Sequence, residues 1–126
     1  MFNVLLVALG GAVGASMRHL LSGVVLRWAG PAWPWGTFII NVSGSLLIGV
    51  LAGWLAFRGE GGTHWRLLLG TGVLGGFTTF SAYSLETALM IERREYVAAA
   101  VYSLGSVALG LSAVFLGLWI ARRVFA

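Results

Sequence analysis

The chain has 126 residues, 59% of them hydrophobic and 10% charged, with a mean hydropathy of +0.92; soluble domains carry about a quarter charged residues, so no soluble surface can be built and the class is integral membrane protein. All eight cations are arginine and all four acids are glutamate, for a net charge of +4 and a pI of about 10.8, yet no basic run exceeds two residues, which argues against nucleic acid as a partner. Cysteine is absent, which excludes a disulfide framework and thiolate metal or redox chemistry.

A bilayer-spanning helix needs about 20 apolar residues, and turn-forming residues divide the chain into four segments of that size, at about 2–28, 35–57, 64–91 and 96–121. The pattern predicts an all-α membrane protein, with a single four-helix domain over residues 1–126. The first segment lacks a basic leader and its apolar character resumes after Arg18, so it reads as a helix rather than a signal peptide. It stops at Gly30-Pro31-Ala32-Trp33-Pro34, which holds both prolines of the chain. The second segment ends in the turn Arg58-Gly59-Glu60-Gly61-Gly62. The third starts near His64-Trp65 and is joined by Glu92-Arg93-Arg94-Glu95 to the fourth, which stops before Arg122-Arg123. Trp28, Trp33, Trp35, Trp65, Tyr96 and Trp119 fall at segment ends, as an aromatic belt requires. With four spans, Arg58, Arg66, Arg122 and Arg123 lie on one side and Arg27, Arg93 and Arg94 on the other, with Arg18 somewhat deeper. A count of four against three, or four against four with Arg18, gives almost no positive-inside bias. Insertion in both orientations and a topology fixed by other features both fit that count.

Polar residues inside a span are costly and therefore candidates for function. At about 100° per residue, Asn3, Gly10, Gly14, Arg18 and Ser22 share one face of the first helix. Glycines at that spacing admit a close neighbour, so Arg18 reads as pointing into protein or a wet cavity, with snorkelling to headgroups as the alternative. Thr37, Asn41, Gly44 and Ser45 share a face of the second helix. Asn41 offers two donors and an acceptor, enough for an interhelical hydrogen bond or for an anion. On the fourth helix Tyr102, Ser103, Ser106, Gly110 and Gly117 align, either as a polar track or as a packing seam. The third segment has the unusual centre, running Gly70-Thr71-Gly72-Val73-Leu74-Gly75-Gly76-Phe77-Thr78-Thr79-Phe80-Ser81. Adjacent glycines and β-branched threonines weaken a helix there, and the carbonyls of a broken mid-membrane helix commonly coordinate Na⁺. Beyond it Phe80, Tyr83 and Thr87 share a face, where electropositive ring edges suit an anion unless the rings only pack. Glu86 is the one acid clearly within a span, and His19 and His64 have no partners at ligand spacing. No serine–histidine–acid set, phosphate loop or metal cluster is present, so nothing supports an enzyme.

The run Gly75-Gly76-Phe77-Thr78-Thr79-Phe80-Ser81, with Arg18, Asn41, Tyr102 and Ser106 in the same order, resembles the Fluc family of small bacterial fluoride channels, also called CrcB proteins. The resemblance covers essentially the whole chain. It implies a fluoride-selective passive channel, multi-pass in the bacterial inner (cell) membrane, assembled as a dual-topology homodimer of antiparallel subunits. Two fluoride pathways per dimer are implied, together with a central structural Na⁺ held by main-chain carbonyls that match Gly75 and Thr78. By motif match the anion pathway takes Arg18, Asn41, Phe80, Tyr83, Tyr102 and Ser106, with Thr79 and Ser81 of the same run. Two positions depart from the family: Tyr83 stands where a second phenylalanine is common, and Gly110 where a serine is. The rival functions are a small proton-coupled multidrug exporter working on Glu86, and a non-transporting subunit of a larger complex.

Overall fold

The computed structural model describes residues 1–126. Helix α1 spans Phe2–Ala29 and stops where Gly30, at φ 75°, turns the chain and donates its amide to the Leu26 carbonyl. A residue ahead of a proline is driven out of the helical region, so Gly30-Pro31 is a firm stop. Helix α2, Trp35–Ala56, starts directly after Pro34. A short 3₁₀ turn, Gly59–Gly62, leads into the third segment.

The third segment is broken, but not where its glycines sit. It begins with the helical residues Thr63–Trp65, widens into a π-helical stretch over Arg66–Leu74, and returns to α geometry over Gly75–Phe77; residues 63–77 are called α3 below. Thr78 (φ −80°, ψ 156°) and Thr79 (φ −149°, ψ 114°) are extended. Helix α4 then runs over Phe80–Glu92. Gly75 and Gly76 stay helical because Gly76 lies against α1, where a Cβ would stand 2.6 Å from the Gly11 carbonyl oxygen. The two β-branched residues, which tolerate extended backbone best, take the interruption. Three helices are long and apolar enough to cross a membrane, namely α1, α2 and the last one. Neither piece of the third segment reaches that length unaided.

Helix α5, Tyr96–Phe125, continues past the expected end near residue 121. Arg123 lies over the Trp119 ring at 5.5 Å, and arginines in a last turn oppose the negative end of the helix dipole.

Two glycine seams hold the bundle. The larger joins α2 to α5, where a methyl on Gly49 would strike the Val114 carbonyl and one on Gly117 the Leu46 carbonyl. The other joins α1 to α3, where Gly10 faces the Leu68 carbonyl and Gly14 the Val73 carbonyl. Without a hydrophobic force between helices in lipid, backbone approach of this kind supplies the association. Only 18 of the 126 residues are buried, so most apolar side chains face outward, as in lipid.

Candidate ion-conduction site

The break is held open by a side chain from another helix. Asn41 of α2 donates through Nδ2 to the Thr79 carbonyl at 3.0 Å and accepts the Thr79 amide on Oδ1 at 2.8 Å. Thr79 in turn caps α4, its hydroxyl oxygen accepting the Ala82 amide at 3.2 Å. The Thr78 hydroxyl donates back to the Leu74 carbonyl at 2.9 Å, while its methyl enters the gap that Gly44 leaves on α2. In a continuous helix the Thr79 amide would serve the Gly75 carbonyl and the Ala82 amide the Thr78 carbonyl. Both donors are engaged elsewhere, so these two carbonyls lose their helical partners.

Arg18 points into the protein. Its Nε donates to the Gly76 carbonyl at 3.1 Å, which takes up another acceptor next to the break. This contact is the inward-facing arrangement expected for Arg18.

Beside the break lies an open cleft of about 420 Å³, lined by Asn41, Ser45, Gly75, Thr78, Thr79, Phe80, Tyr83 and Ser106 among others. The Ser106 hydroxyl is buried without a hydrogen-bond partner. Phe80 is 78% exposed and extends past the chain's own surface. Its ring begins a series of aromatic contacts, with Tyr83 at 5.5 Å, then Tyr102 at 5.5 Å, then Trp33 at 5.3 Å. The Tyr83 hydroxyl donates to the Ser103 carbonyl at 3.0 Å, so the group that distinguishes it from phenylalanine pins α4 to α5 and does not enter the cleft.

Not every motif residue gathers there. Tyr102 is fully buried, and its hydroxyl donates to Glu86 Oε2 at 2.6 Å. Thr37 donates to the other carboxylate oxygen of Glu86 at 2.7 Å. Glu86, Thr37, Arg18 and Ser22 line a second cavity of about 380 Å³, which shares Thr79 with the cleft. Thr37, Glu86 and Ser22 also border a third, of about 350 Å³, that reaches Trp33 and Arg93. Ser81 is exposed and pairs with the Thr79 hydroxyl at 3.2 Å. On the fourth helix the polar track and the packing seam divide the positions: Ser106 faces the cleft, whereas Gly117 packs on α2. The link from Thr37 to Glu86 escaped the sequence reading. Its one signal was that Thr37 shares a face with Asn41, which left its partner unspecified.

An all-helical chain with three helices long and apolar enough to cross a membrane, and with polar groups clustered between its helices, has the build of a multi-pass membrane protein. The family model described as CrcB-like protein, Camphor Resistance (CrcB), matches residues 5–118. A protein of Phenylobacterium zucineum (strain HLK1) named Fluoride-specific ion channel FluC is 64% identical over 124 residues, covering 98% of each chain. Relatives of the same name from Caulobacter sp. (strain K31) and Hyphomonas neptunium (strain ATCC 15444) are 58% identical over 126 residues and 57% over 127, covering 98% or more of every chain. The chain belongs to the CrcB family. Each of these relatives bears the name of an ion channel, a class of protein that is not an enzyme.

Proposed function

We propose that this chain is a fluoride-selective passive channel of the bacterial inner membrane, active as an antiparallel homodimer with two pathways and a central Na⁺. The names of its relatives support the ion. The observation that carries the reading is the cleft, where Asn41, Thr78, Thr79 and Ser106 surround a groove open on the outer face of the bundle. Lipid against that groove would leave polar groups unsatisfied; a second copy seated on it would cover them. An isologous pair related by a two-fold axis in the membrane plane needs subunits of opposite orientation, and the near-equal arginine count permits both.

Fluoride holds its water tightly, so a narrow path must offer donors in exchange. On this reading Asn41 retains one amide hydrogen beyond the one given to Thr79, Ser106 has a free hydroxyl, and Phe80 and Tyr83 present ring edges. Thr79 and Ser81 line the approach, Arg18 raises local anion concentration near the break, and the buried Tyr102 positions Tyr83. A hard cation suits the carbonyls of Gly75 and Thr78, since neither oxygen keeps its helical donor. When bound, Na⁺ supplies a fixed positive charge in a dry centre.

Proton-coupled export on Glu86 fits less well, because both carboxylate oxygens already accept hydroxyl hydrogens from Thr37 and Tyr102. Ion-selective electrodes on liposomes holding the purified protein test the proposal. Fast fluoride release with chloride retained, and no imposed proton gradient, is the expected result, with Phe80→Ile slowing release by about tenfold or more, roughly 1.4 kcal/mol of barrier. Absence of fluoride release from folded protein would sink the channel reading. Substrate-induced proton uptake that disappears in Glu86→Gln would favour the exporter.

A further inference from the structure

The break takes the helical donors from the carbonyls of Gly75, Gly76, Phe77 and Thr78; the Gly76 oxygen accepts from Arg18 instead, and for Gly75 and Thr78 a side chain has taken the donor. The Thr79 amide, the helical donor for the Gly75 carbonyl, goes to Asn41 Oδ1 at 2.8 Å. The Ala82 amide, the helical donor for the Thr78 carbonyl, goes to Thr79 Oγ1 at 3.2 Å. Asn41 Nδ2 closes the arrangement on the Thr79 carbonyl at 3.0 Å, with Thr79 extended at φ −149° and ψ 114°. The Gly75 and Thr78 acceptors thus each have a named side-chain oxygen that took their donor. A methyl on Gly75 would have only the Gly70 carbonyl oxygen near it, at 3.5 Å, so that stretch of backbone stays open to the cleft.

We propose that Asn41 and Thr79 are positioning residues for the cation site: by consuming the two amides that would otherwise cap the Gly75 and Thr78 carbonyls, they set how tightly those oxygens bind Na⁺. The inference rests on the cation reading given under Proposed function and adds to it a cause within this chain. Binding and clamp are linked reciprocally. Na⁺ on the carbonyls stabilises the extended Thr79, and the clamp raises affinity by keeping the ladder from closing. Asn41 then contributes through the backbone as well as through any contact with an anion.

The test reads Na⁺ binding to the purified full-length protein, as the rise in its thermal unfolding midpoint when Na⁺ replaces N-methylglucamine at constant ionic strength. Thr79→Val removes the acceptor of the Ala82 amide at nearly constant volume, Asn41→Leu removes the acceptor of the Thr79 amide, and Thr79→Ser keeps a hydroxyl in place. The Na⁺ concentration for half the shift is expected to rise about tenfold or more in Thr79→Val and Asn41→Leu, and to stay within about twofold in Thr79→Ser. Adding Ala82→Pro to Thr79→Val removes the competing N–H in the first helical turn, where proline is tolerated, and is expected to restore the Na⁺ response. A loss of packing alone would not be repaired in that way. Hydrogen exchange on the unaltered protein gives the answer even if a variant fails to fold: Na⁺ is expected to slow exchange at the Thr79 and Ala82 amides. Variants that titrate Na⁺ like the parent, or exchange at those two amides that ignores Na⁺ while the midpoint rises, would overturn the inference alone. A parent protein whose midpoint ignores Na⁺ would overturn the cation reading and the inference with it.

Discussion

Glu86 accepts hydroxyl hydrogens from two other helices, Thr37 on α2 and Tyr102 on α5, and so ties three elements together at one carboxylate. Deleting one donor leaves a sheltered oxygen without a partner, which costs about 1–3 kcal/mol. Tyr102→Phe is therefore expected to lower the thermal unfolding midpoint in detergent by a few degrees, and an unchanged midpoint would mean that water replaces the phenol. The sequence made each of these residues visible as a polar group in an apolar span, yet their pairing was not legible. Face-sharing on one helix says which way Thr37 points, whereas its partner lies 49 positions away and depends on how α4 is rotated after the break. Asn41 shows the same limit. Its donors and acceptor were evident, but that both sides of the amide serve the backbone of Thr79 follows only from the extended geometry there.

Among the elements, α3 departs most from what composition implies. Its glycines and threonines marked a weak helix, and the break did fall within that run, at Thr78 and Thr79. The π-helical stretch over Arg66–Leu74 left no trace in the sequence. Glycine content lowers helix propensity without choosing between i→i+4 and i→i+5 bonding; the wider register accompanies the close packing on α1, which is a tertiary effect. That packing yields a prediction with its own control. A side chain at Gly14 would collide with the Val73 carbonyl, while nothing lies within 4 Å of a Cβ on Gly11. Gly14→Val is expected to destabilise the protein by about 3 kcal/mol or more and Gly11→Ala to change little, as measured by denaturation in detergent. Equal effects of the two would mean that the α1–α3 seam is not as tight as described.

For the whole molecule, arginine distribution and helix pairing act at different stages. If the near-equal count governs insertion, a reporter fused to the C-terminus is found on both sides of the membrane, and Arg122→Ala with Arg123→Ala shifts the population strongly to one side. A single location for the unaltered chain would show that other features fix its topology and would count against an antiparallel pair. The two glycine seams join helices that are not neighbours in the chain: α1 meets α3, and α2 meets α5, the last to be made. During synthesis α1 and α2 therefore enter the bilayer before their mates exist. A nascent chain halted before the final helix is held by one seam, with Gly49 facing lipid where the Val114 backbone belongs. If the arginines select the orientation, they do so while the α2–α5 seam is still open, and the packing that arrives with the fourth span locks in an orientation already chosen.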